Sequence, residues 1–226
     1  MDLNNPFVDN LINQALVEDL GEIGDTTTLA VVPETAQVQA DFISREKACI
    51  AGLQMISLVA DKFSGLKGYG DVKVTLHIAD GDRVEKGACI ATVDGSARTI
   101  ISAERTILNF LQRLSAVATT ARTYSEALGD SKIKLLDTRK TIPGYRFLEK
   151  YAVQCGGAVN HRHGLYDQVM IKDNHRAIAG MEGDGGIRRS IDAARLMYPD
   201  LKIEIEVDTL EQCREALEAN ADIILL

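Results

Sequence analysis

No pair of cysteines in this 226-residue chain has Cys-x-x-Cys spacing. The four cysteines present (Cys49, Cys89, Cys155 and Cys213) lie far apart, so neither a zinc-ligand pattern nor a disulfide framework is indicated. They are expected to be reduced and mostly buried, in a cytoplasmic protein. Runs of eighteen apolar residues are also missing, so no membrane span is expected. The opening stretch, MDLNNPFVDNLINQ, has neither the basic region nor the apolar region of a secretory leader, and none is expected. Positive charge is not in excess: 25 Lys and Arg stand against 33 Asp and Glu, a net charge of −8. That balance argues against general nucleic-acid binding and against an anionic membrane surface. Repeats, low-complexity tracts and an obvious linker are absent as well.

What is present suits an ordinary globular protein. Hydrophobic residues make up 46% of the chain, and its length allows one large domain or two small ones. Phe7, Leu11, Ile12, Ala15 and Leu16 have helical spacing over residues 6–19, and Pro6 fits a first turn. AQVQADFIS and DVKVTLHI alternate with period two, as half-buried strands do, and residues 53–63 between them look helical. GDRVEKGACIATVDG reads as turn, strand, turn. A long helix is predicted over residues 103–128, with Ser102 as its N-cap and a stripe of Ile107, Leu108, Leu111, Leu114, Ala118 and Ala121.

After that helix the rhythm changes. The apolar run IKLLD predicts a buried strand followed by a helix near 144–155. QVMIKD predicts a strand followed by helical segments up to Met197. KIEIEVD predicts a strand followed by a helix over 209–219, and ADIILL begins another strand. Strands alternating with helices indicate βα units around a parallel sheet. In barrels of that kind the chemistry sits at the C-terminal ends of the strands. Here those ends carry Asp137-Thr138-Arg139-Lys140, Lys172-Asp173-Asn174-His175 and Glu206-Val207-Asp208.

The stretch DTRKTIPG therefore places an Arg-Lys pair where a strand ends, inside an acidic protein. Residues 132–176 hold nine Lys or Arg and four Asp or Glu, a local charge of +5 within the chain's −8. Three of the four histidines (His161, His163 and His175) fall in the same segment. Arg139, Lys140 and Lys172 are expected at one rim, with His161 and Arg162 beside them on the Gly-rich loop GGAVNHRHG. An arginine fork grips a carboxylate or phosphate with two bonds, and lysine supplies a compact charge for phosphate oxygens. Such a site would attract a polyanion. Lys132, Lys134, Arg146 and Lys150 read instead as a solvated face with ordinary surface ion pairs, and His77 and His163 as surface or packing residues. Glu204, Glu206 and Asp208 alternate, so they could share one strand face. A carboxylate there suggests magnesium, although a solvent-facing strand edge would explain Glu204 equally well.

Five stretches carry a resemblance: EDLGEIGDTTT (Glu18 to Thr28), AERTILNFLQRLSAVAT (Ala103 to Thr119), DTRKTIPGYRFLEKYAVQCGGAVNHRHGL (Asp137 to Leu165), IKDNH (Ile171 to His175) and EIEVDTLEQ. In this order they resemble the quinolinate phosphoribosyltransferase family over nearly the whole chain. The resemblance implies an α/β (α+β) fold. An N-terminal α/β sandwich domain would span residues 1–115. A C-terminal open α/β (TIM-like) barrel, here truncated, would span 116–226. It also implies a reaction: quinolinate and phosphoribosyl pyrophosphate give nicotinate mononucleotide, pyrophosphate and CO2, with Mg2+, in de novo NAD biosynthesis. By resemblance Arg105 reaches a partner subunit's site in a homo-oligomer, a dimer or a hexamer. Arg139, His161 and Arg162 hold the quinolinate carboxylates. Thr138, Lys140 and Lys172 contact substrate, the two lysines near the phosphoribosyl side. Glu206 serves the ribose and metal end. Lys140, Lys172 and Glu206 are the expected catalytic residues.

The family continues past the ILLDN motif through further strands and a closing helix. A polypeptide ending at Leu226 is accordingly expected to be inactive and poorly stable, since four strands cannot close a barrel. Ala116 stands where the family usually has Gly, with little expected effect. Two further readings remain open to the sequence, a molybdenum-transport-associated paralogue of the same fold and a non-catalytic structural or carrier subunit. VTLHIADGDRVEKGACIATVDG has the GD-x-V-x-KG look of a biotinyl or lipoyl carrier. However, Asp94-Gly95-Ser96-Ala97 supplies no lysine to modify.

Overall fold

The computed structural model describes residues 1–226. It has a mixed α/β fold in two compact units, Met1–His161 and Arg162–Leu226. Compactness thus divides the chain well beyond residue 115. The cause is local: one uninterrupted helix crosses position 115, and the next helix packs along it.

In the first unit α1 (Pro6–Leu20) is capped by Asn5, whose Oδ1 accepts the N–H groups of Phe7 at 3.0 Å and Val8 at 3.1 Å. Val8, Ile12 and Leu16 form its buried stripe. Then follow α2 (Thr26–Val31), β1 (Gln37–Ile43), β2 (Ala48–Cys49), α3 (Gln54–Ser64), β3 (Val72–Leu76), β4 (Arg83–Val84), β5 (Cys89–Ser96), α4 (Ala97–Ala127) and α5 (Arg146–Cys155). Strand β5 lies at the centre of an antiparallel sheet of order β1-β5-β3, and β2 pairs with β4. Ala91 and Val93 of β5 enter one core with Met55, Ile56, Val59 and Phe63 of α3 and Ile107, Leu111 and Leu114 of α4. Full burial of a side chain such as Phe63 is worth about 2–3 kcal/mol. Gly95, at φ 145°, is required where β5 meets β3, because a Cβ there would lie 2.5 Å from Asp71 O.

Two expectations are corrected in this unit. The long helix begins at Ala97 rather than near 103, and its N-cap is Ser96, whose Oγ accepts from Thr99 N at 3.4 Å. Ser102 lies inside the helix and donates to Asp25 Oδ2 at 2.7 Å, tying α4 to the start of α2. Residues 133–137 form no regular strand, and the apolar residues among them are not buried. Leu136 makes a single parallel bridge to Val159, and Ile133 is 68% exposed. One neighbour supplies only two ladder bonds, Val159 N to Leu135 O and Asp137 N to Val159 O. A ladder with one rung and one open edge does not define a strand.

The second unit is a parallel array. It contains β6 (Val169–Ile171), α6 (Asp173–Ile178), α7 (Gly186–Met197), β7 (Ile203–Glu206), α8 (Leu210–Glu218) and β8 (Ile223–Leu225). The strand order is β6-β7-β8, with β7 in the middle. Ile203, Ile205 and Val207 point to one face and pack with Ile187 and Ile191 of α7 and Ala216 of α8. The opposite face of β7 therefore carries Glu204 and Glu206. No helix of the protein is long and apolar enough to cross a membrane.

Candidate active site

The residues singled out in the sequence fall into two groups, one in each unit. In the first unit Arg105 is exposed on α4, while Thr138, Arg139 and Lys140 follow Asp137 on a turn. Thr138 Oγ1 accepts from Lys140 N at 3.0 Å, and Arg139 O accepts from Thr141 N at 3.0 Å. Thr141 is held in turn by Arg146, whose Nε donates to its Oγ1 at 3.1 Å. The turn is therefore braced from both ends. Arg139 Nε is buried and meets no acceptor in the chain. A buried guanidinium N–H without a partner is costly, and it is a natural place for an anionic ligand.

Beneath this turn lies an arrangement that sequence reading missed. Lys150, expected on a solvated face, is 1% exposed on α5. Its Nζ donates to Asp137 Oδ1 at 2.5 Å and to His161 O at 3.2 Å. The same Asp137 Oδ1 accepts from His161 N at 2.8 Å. With its amide oriented to match donors to acceptors, Asn160 Nδ2 donates to Asp137 Oδ2 at 2.8 Å and to Lys150 O at 2.9 Å. One carboxylate thus fastens the start of the Thr138–Lys140 turn to His161. No sequence signal distinguished Lys150 from its exposed neighbours. Asp137 offered a hint, being the only acid in an apolar run, where a buried carboxylate needs a cation.

In the second unit Arg162 Nη1 donates to Gln168 O at 3.3 Å, and its Nη2 lies 3.3 Å from Met170 Sδ. Gln168 Nε2 donates to Glu204 Oε2 at 2.6 Å. Glu204 is 4% exposed on the central strand, so it is no solvent-facing edge residue. Lys172 precedes α6, and its backbone N donates to His175 Nδ1 at 2.9 Å. Continuing the Ile171–Ile205 register by one residue brings Lys172 beside Glu206, at the C-terminal ends of adjacent parallel strands. Asp208 does not complete a carboxylate triplet on that face. It lies beyond the strand end with its side chain 68% exposed, 3.8 Å from Arg176 Nη2. His163 donates its backbone N–H to Asp167 at 2.6 Å, and Gly164 does the same at 2.8 Å. Burial would raise the Asp167 carboxyl, but these two N–H groups outweigh it and hold the pKa below its ordinary value.

None of the chain's ion pairs involves Arg105, Arg139, Lys140 or Lys172. Charge on these side chains is uncompensated, unlike that of Lys150. The carrier reading fails on geometry, because Asp94 and Gly95 lie within β5 and Ser96 caps α4, leaving no free hairpin tip for a modified side chain. No cluster of three or more His, Cys, Asp or Glu residues could cage a metal ion.

The comparisons agree over the whole length. Residues 25–115 match the family model described as quinolinate phosphoribosyl transferase, N-terminal domain, and residues 117–226 match the C-terminal domain. This chain belongs to the quinolinate phosphoribosyltransferase family. It is 42% identical over 215 residues to a Mycobacterium leprae protein named nicotinate-nucleotide pyrophosphorylase (carboxylating), covering 95% of this chain and 73% of that one. A Bacillus subtilis protein named probable nicotinate-nucleotide pyrophosphorylase (carboxylating) is 41% identical over 223 residues, covering 99% of this chain and 73% of that one. Among solved structures, NadC from Streptococcus pyogenes superposes with a TM-score of 0.90 at 38% identity, covering 100% of this chain and 76% of that one. Membership makes the chain a pentosyltransferase by family, with a two-domain α/β fold.

Proposed function

We propose that this quinolinate phosphoribosyltransferase transfers the phosphoribosyl group of phosphoribosyl pyrophosphate to quinolinate. Loss of the 2-carboxylate as CO2 then gives nicotinate mononucleotide and pyrophosphate for NAD biosynthesis. The observation that carries the reading is Arg139, whose buried Nε lacks a partner on a turn fastened to His161 through Asp137. A dicarboxylate supplies the acceptors that the chain itself does not. The matching family models, described by quinolinate, support the same substrate.

Arg139, His161 and Arg162 hold the two carboxylates, with the arginine forks setting the plane of the ring. Thr138 and Lys140 contact the substrates from the same turn. The pyridine nitrogen attacks the anomeric carbon as the bond to pyrophosphate breaks, and the leaving oxygen takes that electron pair. Lys140 and Lys172 meet the charge that develops there. The ring, now cationic, accepts the pair released when the 2-carboxylate leaves as CO2, and a solvent proton restores the C–H bond. No protein nucleophile takes part, and orientation supplies much of the rate.

Magnesium fits this site in one way only. Glu206 offers a single half-buried carboxylate, and a hard cation that takes most of its oxygens from water and substrate phosphates needs no more from the protein. Glu206 would hold the ion, which supplies positive charge to the departing pyrophosphate. The protein acts as a homo-oligomer, a dimer or a hexamer, in which exposed Arg105 serves a neighbouring subunit's site. It works in the cytoplasm, in keeping with four free cysteines.

Arg139→Ala is expected to weaken quinolinate binding by at least about tenfold while donor binding survives. Titration calorimetry with each substrate separately checks this, and unchanged quinolinate affinity would refute the assignment of Arg139.

A further inference from the structure

Lys150 makes no hydrogen bond to the Arg139 or Lys140 side chain, yet it is buried to 1% exposure at the foot of the turn that Asp137 begins. Leu148 and Ala152 on the same helix are fully buried as well, so α5 is covered on more than one side at this level. Its ammonium partners are Asp137 Oδ1 and His161 O. A buried ion pair of this kind is poor evidence for stability alone, because apolar residues of similar volume often serve the fold as well or better. What an apolar pair cannot do is hold three backbone points in register. Asp137 begins the turn that carries Arg139, and it also binds the His161 N–H. Lys150 binds the His161 carbonyl and Asp137 together. Asn160 closes the ring from the other Asp137 oxygen to Lys150 O.

We infer that Lys150, acting through Asp137, is a positioning residue. It sets the spacing of Arg139 and His161 at which they grip a planar dicarboxylate. This rests on the functional reading above and deepens it. Lysine suits the place because its compact ammonium can reach two oxygens at once, whereas a guanidinium is planar and larger. Lys140 serves the donor from the same turn, but Arg139 and His161 are the pair whose spacing Asp137 sets directly, so misplacement falls mainly on the dicarboxylate.

The test uses three variants of the full protein: Lys150→Met, Asp137→Asn and the double variant. A single change leaves one buried charge without its partner, so it also weakens folding. The double change removes both charges, so its urea midpoint should return towards wild type and loss of fold cannot explain its kinetics. All three are expected to raise the quinolinate KM about tenfold or more, while the KM for the donor, which Lys140 and Lys172 serve, rises several-fold less. Amide hydrogen exchange at His161 should quicken in Lys150→Met. A folded double variant with the wild-type quinolinate KM would overturn the inference, as would equal changes for both substrates. A wild type inert towards quinolinate would instead overturn the functional reading and take this inference with it.

Discussion

Gln168 donates to Glu204 at 2.6 Å between two adjacent parallel strands, and both side chains are buried, at 7% and 4% exposure. A carboxylate in the middle of a three-stranded sheet is tolerated only when donors surround it. Gln168→Leu removes one donor and leaves the acceptor in place. The variant is expected to lose about 1–3 kcal/mol of stability, read as a lower urea midpoint with an unchanged slope. Wild-type stability would show that Glu204 does not depend on Gln168.

Gly156, at the end of α5, permits a close approach to α4. A Cβ there would lie 2.5 Å from Ala118 O and 2.5 Å from the Ala121 side chain. Two helix backbones cannot separate locally without disturbing the packed stripe of Leu114, Ala118 and Ala121. Gly156→Ala should cost about 1–3 kcal/mol and lower the Tm. Because α5 also carries Lys150, the quinolinate KM should rise with it.

Element identity was legible where a face was repeated. The stripe Ile107, Leu111, Leu114, Ala118 and Ala121 marked α4, and alternation marked β1 and β3. The start of α4 was misplaced because Ser96 and Ser102 are both capping residues, and only Asp25, far away in sequence, decides between them. The strand at 133–137 was misjudged because an apolar run records hydrophobicity and not whether two neighbours are present to complete a ladder. The local excess of charge over residues 132–176 is legible in the sequence, but not which of its cations the fold buries. Lys150 was hidden by its neighbours Arg146 and Glu149, which give the helix a solvated look, and its burial depends on a carboxylate thirteen residues earlier.

Tyr151 donates to Asp80 in a short hydrogen bond, and burial, followed by the charge and hydrogen bond of Asp80, raises its pKa well above the ordinary 10.0. Tyr145 is raised too, chiefly by burial. A raised phenol pKa stabilises the fold fully below about pH 10, and that contribution is lost as pH climbs above the unfolded value. Of the six tyrosines, Tyr145 and Tyr151 should ionise only as the protein unfolds. An alkaline ultraviolet titration followed beside circular dichroism checks this. Six phenolates formed with the fold intact would contradict it.

Asp222 links the start of β8 to β7 and α7. Its pKa is lowered first by the N–H of Ile203, at 2.8 Å, and then by Arg195, at 3.0 Å. A depressed carboxyl stabilises the fold above its unfolded pKa and loses that effect as pH falls through the lower folded value. The side chain is 37% exposed, so solvent weakens the Arg195 pair. Asp222→Asn should therefore cost no more than about 1 kcal/mol at pH 7. Paired urea titrations should show the gap to wild type closing below about pH 4, and a gap independent of pH would contradict the assignment.

The most direct test of the account is product formation. The purified protein is incubated with quinolinate, phosphoribosyl pyrophosphate and Mg2+, with nicotinate replacing quinolinate in a parallel reaction, and the products are separated by chromatography. The account predicts nicotinate mononucleotide and one equivalent of CO2 from quinolinate, and no nucleotide from nicotinate. Nucleotide from nicotinate without CO2, or binding of quinolinate with no turnover, would contradict it.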